Sequence, residues 1–206
     1  MPEQRKRERW SKGQMVMQGF IGASDYQTME VTGGSAPDVD GSGEDSAQAP
    51  VIGGGAQWKL GGSRIDFGLE AMFALSWRSN ATAIVVGSGG AAVAVDVDTF
   101  LLEIYGGPVA NIFLGESQKS RVYVSAGPLM EWVSYAQGND VASIDDSGSG
   151  FGTGWYARTG IEFAIGGGTM VGVGARWSDS TVDLDGGLGD LDLEGFQFAL
   201  TVTQGF

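Results

Sequence analysis

The final dozen residues alternate in character. Phe196, Phe198, Leu200, Val202 and Phe206 share one face of an extended chain, with Gln204 as its polar member. Gly195, Gln197, Ala199, Thr201, Thr203 and Gly205 share the other. Successive side chains of a strand point to opposite faces, so this is a strand with one apolar face and one small, polar face. The split recurs upstream. Ile65, Phe67, Leu69, Ala71, Phe73, Leu75 and Trp77 oppose Asp66, Gly68, Glu70, Met72, Ala74 and Ser76. Phe100, Leu102, Ile104, Ala110 and Ile112 oppose Thr99, Glu103, Tyr105 and Asn111. Trp155, Ala157, Ile161, Phe163 and Ile165 oppose Tyr156, Arg158, Gly160, Glu162 and Ala164, and Val171, Val173, Ala175 and Trp177 oppose Gly172, Gly174, Arg176 and Ser178.

Such segments predict about eight strands, over 14–26, 50–60, 64–77, 95–114, 120–136, 151–165, 169–179 and 194–206, each near the length that crosses a bilayer when tilted. Links at 61–63, 116–120 and 166–168 are tight turns of the hairpin kind, whereas those at 27–49, 78–94, 137–150 and 180–193 are long and rich in Gly, Ser and Asp. Short turns on one side and long loops on the other predict an all-β fold. It is an eight-stranded antiparallel up-and-down transmembrane β-barrel with short periplasmic turns and long acidic extracellular loops.

A soluble lipocalin-like ligand-binding barrel also has alternating strands, but its apolar residues point inward. The chemistry of the faces separates the two. The polar face carries Lys59, Glu70, Glu103, Glu131, Arg158, Glu162 and Arg176 among many glycines, and the other face is broad and almost purely hydrophobic. A narrow interior accommodates glycine and paired charge, while a lipid-exposed face accommodates neither unpaired charge nor open backbone. With both termini on the short-turn side, Trp77, Trp132, Trp155 and Trp177 fall at the long-loop end and Trp58 and Phe206 at the other. Two aromatic girdles at the membrane interfaces follow.

Composition changes the picture in three places. The formal net charge of -13 lacks the basic face that a nucleic-acid binder needs. The 36 glycines without a collagen-like period suit a turn-rich β protein, since the aromatic content is too high for a disordered chain. There is no Cys and no His, so neither a Ser/His nor a Cys/His nucleophile can be assembled. A carboxylate pair such as Glu103 and Glu131 could act on a sugar only if substrate entered the lumen. The expectation is therefore a non-enzyme. Residues 1–13, including "RKRER", read as a basic, disordered lead-in to a single barrel domain over 14–206. No apolar segment of signal-peptide type follows them in the given sequence.

The whole pattern beyond about residue 13 resembles the small eight-stranded outer-membrane barrels of Gram-negative bacteria, of the OmpA transmembrane domain, OmpX and opacity-protein type. The terminal "FQFALTVTQGF" is similar to that family's C-terminal assembly signal, carried here by Phe196, Phe198, Leu200, Val202 and Phe206. The resemblance implies export to the outer membrane and recognition by the barrel-assembly machinery. It also implies contact with outer-membrane lipids and lipopolysaccharide, and an extracellular ligand or protein at the loops. The last strand is expected to close the barrel against the first.

Two kinds of candidate site follow. The inward charges, Lys59, Arg158 and Arg176 against Glu70, Glu103, Glu131 and Glu162, predict an ion network that closes the lumen, because buried charges must be paired. The alternative is a narrow ion or small-solute channel. Arg64, Lys119 and Arg121 are assigned to the short turns. In the loops, Asp38, Asp40 and Ser42, and separately Asp183, Asp185 and Glu194, fall at spacings that partly match a calcium loop. Ala49 and Leu188 stand where ligand and glycine are required, so the expectation is no dedicated cofactor, with weak Ca²⁺ or Mg²⁺ binding at the acidic loops as the sharper reading.

Overall fold

In a computed structural model of the protein, residues 15–33, 39–40, 47–62, 64–86, 92–115, 119–139, 144–185 and 189–205 are described. The long strands are β1 (Met15–Gly33), β2 (Ala47–Gly62), β3 (Ile65–Val86), β4 (Ala92–Leu114), β5 (Ser120–Asn139), β6 (Ile144–Gly166), β7 (Thr169–Leu184) and β8 (Gly189–Gly205). Each pairs antiparallel with its neighbours in sequence. β1 pairs with β8 from Val16 opposite Gly205 to Gly33 opposite Gly189, which closes the ring as the last-against-first expectation requires. A two-residue segment, Val39–Asp40, bridges the outer ends of β1 and β3.

The faces fall as the alternation predicts. Phe73, Ile104, Phe163 and Leu200 are about half exposed or more on the outer wall, while Glu70, Glu103, Glu162 and Arg158 are buried within. A half-exposed phenylalanine surface beside fully buried glutamates is the reverse of a soluble barrel, and it suits a hydrocarbon solvent. On β3 the outward apolar residues run from Ile65 to Trp77. At about 3.3 Å per residue and a tilt near 40° that run spans roughly 30 Å, the thickness of a bilayer's hydrocarbon core. Trp58, Trp77 and Trp155 stand exposed on this wall, with Trp132 and Trp177 partly covered. Phe206 lies outside the described residues.

The turns on one side are short because glycine permits them. Gly166, Gly167 and Gly168 have φ of 120°, 61° and 76°, values that L side chains rarely adopt, and so β6 reverses into β7 with almost no loop.

The strands continue well past the predicted boundaries on the other side. β3 and β4 stay paired to Val86 opposite Ala92, β7 and β8 to Leu184 opposite Gly189, and β1 runs on to Gly33. The physical reason is an inversion of the faces. Beyond Trp177, Val182, Leu184, Leu191 and Leu193 point inward and are almost fully buried, whereas Thr181, Asp183 and Asp190 point outward and are exposed. The period of two persists, but outside the membrane the wall becomes polar outside and apolar inside, as in a soluble barrel. The segment 180–193, predicted as loop, is therefore mostly strand.

This two-zone wall predicts opposite tolerance to one substitution. Leu200→Arg, in the middle of the apolar band, is expected to cost about 2–4 kcal/mol, while Asp183→Arg, beyond it, is expected to be neutral or mildly stabilising. Denaturant unfolding of the protein refolded in phospholipid vesicles measures both.

Candidate functional site

The interior is built in tiers along the barrel axis. At the short-turn end Lys59 sits 3.9 Å from Asp66, with both side chains nearly buried, and Lys59 lies over the Phe113 ring. Above this pair Arg121 takes the centre of the lumen and is fully buried. It donates Nε to Glu162 (2.8 Å), Nη1 to Asn111 (2.9 Å) and Gln57 (3.3 Å), and Nη2 to Thr203 (3.2 Å), with Nη2 also 2.8 Å from Glu162. A guanidinium has five N–H donors in a fixed fork, and here the fork meets acceptors on β2, β4, β6 and β8. Glu162 accepts in return at its other oxygen from Gln18 (2.7 Å), Thr201 (2.8 Å) and Thr203 (2.8 Å), which brings β1 into the same knot.

The next tier centres on Glu70. It accepts from Gln57 (3.0 Å), Ser125 (2.6 Å) and Tyr156 (3.1 Å), and pairs with Arg158 Nε at 3.2 Å. Arg158 donates onward to Gln18. The Tyr123 ring lies between Arg121 and Arg158, whose guanidinium carbons are 5.5 and 4.8 Å from its centroid, a spacing at which a desolvated cation is attracted by the ring face. Higher still, Arg176 pairs with Glu103 and stacks over Tyr105, which contacts Tyr156 at 4.7 Å between centroids. Glu131 lies directly across the ladder from Glu103 and accepts from Ser180 at 2.5 Å. Leu101, Val133, Val182, Leu184, Leu191 and Leu193 then cap the charged column with apolar side chains.

All seven predicted lumen residues, Lys59, Glu70, Glu103, Glu131, Arg158, Glu162 and Arg176, thus line one interior. Arg121 corrects the expectation that it belongs to a short turn. It immediately follows Ser120, where β5 begins, and is in phase with Tyr123, Ser125 and Glu131, so the strand's alternation aims it inward. That phase was the available signal, as it was for Asp66, which shares a face with Glu70.

Among the described residues, the interior cavities are small. One cavity of about 20 Å³ lies among Phe20, Tyr105, Tyr123, Arg158, Arg176 and Gln197, and another of about 10 Å³ lies among Tyr26, Ser76, Thr99, Leu101 and Leu193. Each is close to the space of a single water.

Among the described residues, the acidic candidates Asp183 and Glu194 do not converge. Asp183 faces Asp190 across the ladder, whereas Glu194 faces Asp179 four pairs away and accepts from Trp177 Nε1 at 3.3 Å. At about 3.3 Å per residue, that separation exceeds the reach of ligands on one small cation. Asp185 follows the last residue of β7, the side chain of Asp40 is not described, and Asp38 and Ser42 lie outside the described residues.

No protein-family model and no curated protein matches the chain. Solved structures do. The outer membrane protein OprG of Pseudomonas aeruginosa is 11% identical, with 94% of this chain and 96% of that chain covered at a TM-score of 0.53. Ail of Yersinia pestis, solved with the heparin analogue sucrose octasulfate, is 14% identical over 92% of this chain and 99% of that one, with a TM-score of 0.44. The outer membrane protease OmpT of Escherichia coli is 7% identical over 94% of each chain, with a TM-score of 0.45. The fold is that of the small eight-stranded outer-membrane β-barrels.

Because Arg121 and Glu162 satisfy each other away from water, removing one partner is costly. Arg121→Met is expected to destabilise the barrel by about 3–5 kcal/mol, and adding Glu162→Gln to recover part of that loss. A double-mutant cycle of denaturant midpoints in vesicles checks it.

Proposed function

We propose that the protein is an integral outer-membrane β-barrel with a structural or surface-binding role, and that its loops, not its lumen, carry its specificity. The observation that supports this most is the filled interior. A column of charges from Lys59 to Arg176, four of the acids held in ion pairs and the whole capped by Val182, Leu184, Leu191 and Leu193, leaves a solute little width. The same column weighs against a narrow channel. To pass, an ion would have to separate pairs such as Arg121–Glu162 in a medium of low dielectric, where an unpaired charge costs several kcal/mol.

A catalytic role has no support in the residue set, which lacks His and Cys. The Glu103–Glu131 pair lies beneath the apolar cap. In this reading outer-membrane lipids and lipopolysaccharide surround the apolar band, and the barrel-assembly machinery reads the last strand. An extracellular ligand or protein meets the long loops, whose sequence is rich in Gly, Ser and Asp.

Planar-bilayer recording of the purified protein tests this. The expected trace is flat, and stable single-channel steps that change with Glu103→Gln would establish the channel instead. A second arm deletes residues 34–46, which is expected to leave the barrel folded, still migrating anomalously in unheated gels.

A further inference from the structure

The outer wall is not evenly convex. Midway up the apolar band, β6, β7, β8 and β1 form a lipid-facing trough of about 890 Å³. Its cause lies on the inside. Gly160, Gly174, Ala199 and Gly22 are successive ladder partners across these four strands, and all belong to the inward-facing set. In so small a barrel the interior side chains hold opposite walls apart. This row supplies at most a methyl group, and the Tyr123 hydroxyl occupies the space that a Cβ on Gly160 or Gly174 would need. The wall at this row therefore lies close against Tyr123. The outward residues Ile21, Val122, Ile161, Val173, Phe198 and Leu200 stand above it as a rim.

We propose that this trough is a phospholipid site, in which one acyl chain lies along the floor and the headgroup phosphate rests at the short-turn side near Lys119. The proposal rests on the membrane reading above and deepens it. The trough lies in the hydrocarbon zone, where water cannot fill it and an empty groove forfeits dispersion contacts. It offers hydrocarbon and little else. No lining residue is charged, and the hydroxyl of Thr159 is already committed to the Tyr123 carbonyl at 3.0 Å. The trough also has a direction. The trough reaches Val122, which lies two positions inside the first residue of β5, and the exposed Lys119 immediately precedes that strand. A cation at the short-turn end complements a phosphate at the leaflet surface, whereas the opposite end of the same wall carries Asp179 and Glu194 and would repel one.

Native mass spectrometry of the full chain tests the site. The protein is refolded in vesicles of palmitoyl-oleoyl phosphatidylethanolamine and transferred to mild detergent. The wild type is expected to retain one phospholipid per chain. Ala175→Phe with Thr159→Leu fills the trough from its floor and should lower that occupancy by at least about tenfold. Ala175→Leu alone, a milder version, should act in the same direction, and Lys119→Gln should weaken retention. Ile104→Phe, on β4 outside the trough, should leave it unchanged. Equal retention by filled and wild-type proteins overturns the proposal. So does a chain dimer that is lost on filling, which would make the trough an interface between copies. Failure of the wild type to enter vesicles at all would refute the membrane reading itself.

Discussion

Hydrocarbon offers no partner to a peptide group or a charge, and the rest of this molecule follows from that. Every backbone N–H and C=O inside a bilayer must find its bond within the protein, which only a helix or a closed ring of strands can arrange. The pairing of Val16 with Gly205 is what turns a sheet with two edges into such a ring. Once the ring is closed, any charge in the membrane-crossing segments must turn inward and be matched there. The ion pairs Lys59–Asp66, Arg121–Glu162, Arg158–Glu70 and Arg176–Glu103 are the consequence, with Glu131 held by the Ser180 hydroxyl.

The centre of that interior is a single guanidinium. Arg121 and its partner Glu162 collect contacts from Gln18, Gln57, Asn111, Thr201 and Thr203, so that one ion pair refers to strands distant in sequence and adjacent only across the lumen. A buried pair of this kind is weak evidence for added stability, because desolvation offsets most of its Coulombic gain. Its stronger effect is on register. Slipping any one of these strands by a residue would turn its polar member toward lipid and strand the others without partners. The interior fixes how the strands align, and the small row at Gly22, Gly160, Gly174 and Ala199 fixes where the wall dips.

The alternation made the fold legible in the sequence, and the identity of the alternating residues told lipid from water. Phe198 and Leu200 against Gln197 and Thr201 suffices to say which face is which within the membrane. Legibility stopped where the outside solvent changes. In the segment from Thr181 to Leu193 the period of two continues, but the acidic residues now face outward and the leucines inward, so a reading that equates aspartate with loop ends the strand too early. At Arg121 two signals conflict, proximity to a turn and the phase of the strand, and the phase decides. Convergence itself was beyond reach: that Asn111, Gln57 and Thr203 meet at one point depends on the stagger between strands, which period-two patterns leave open.

The inside-out arrangement is open to direct measurement because the chain contains no cysteine. Single cysteines placed in turn from 196 to 203, spin-labelled and reconstituted in lipid vesicles, report the accessibility of each position to membrane-dissolved oxygen. The account predicts a saw-tooth, with high collision rates at 196, 198, 200 and 202 and low ones at 197, 199, 201 and 203. A flat profile, or one with the odd positions high, would contradict it.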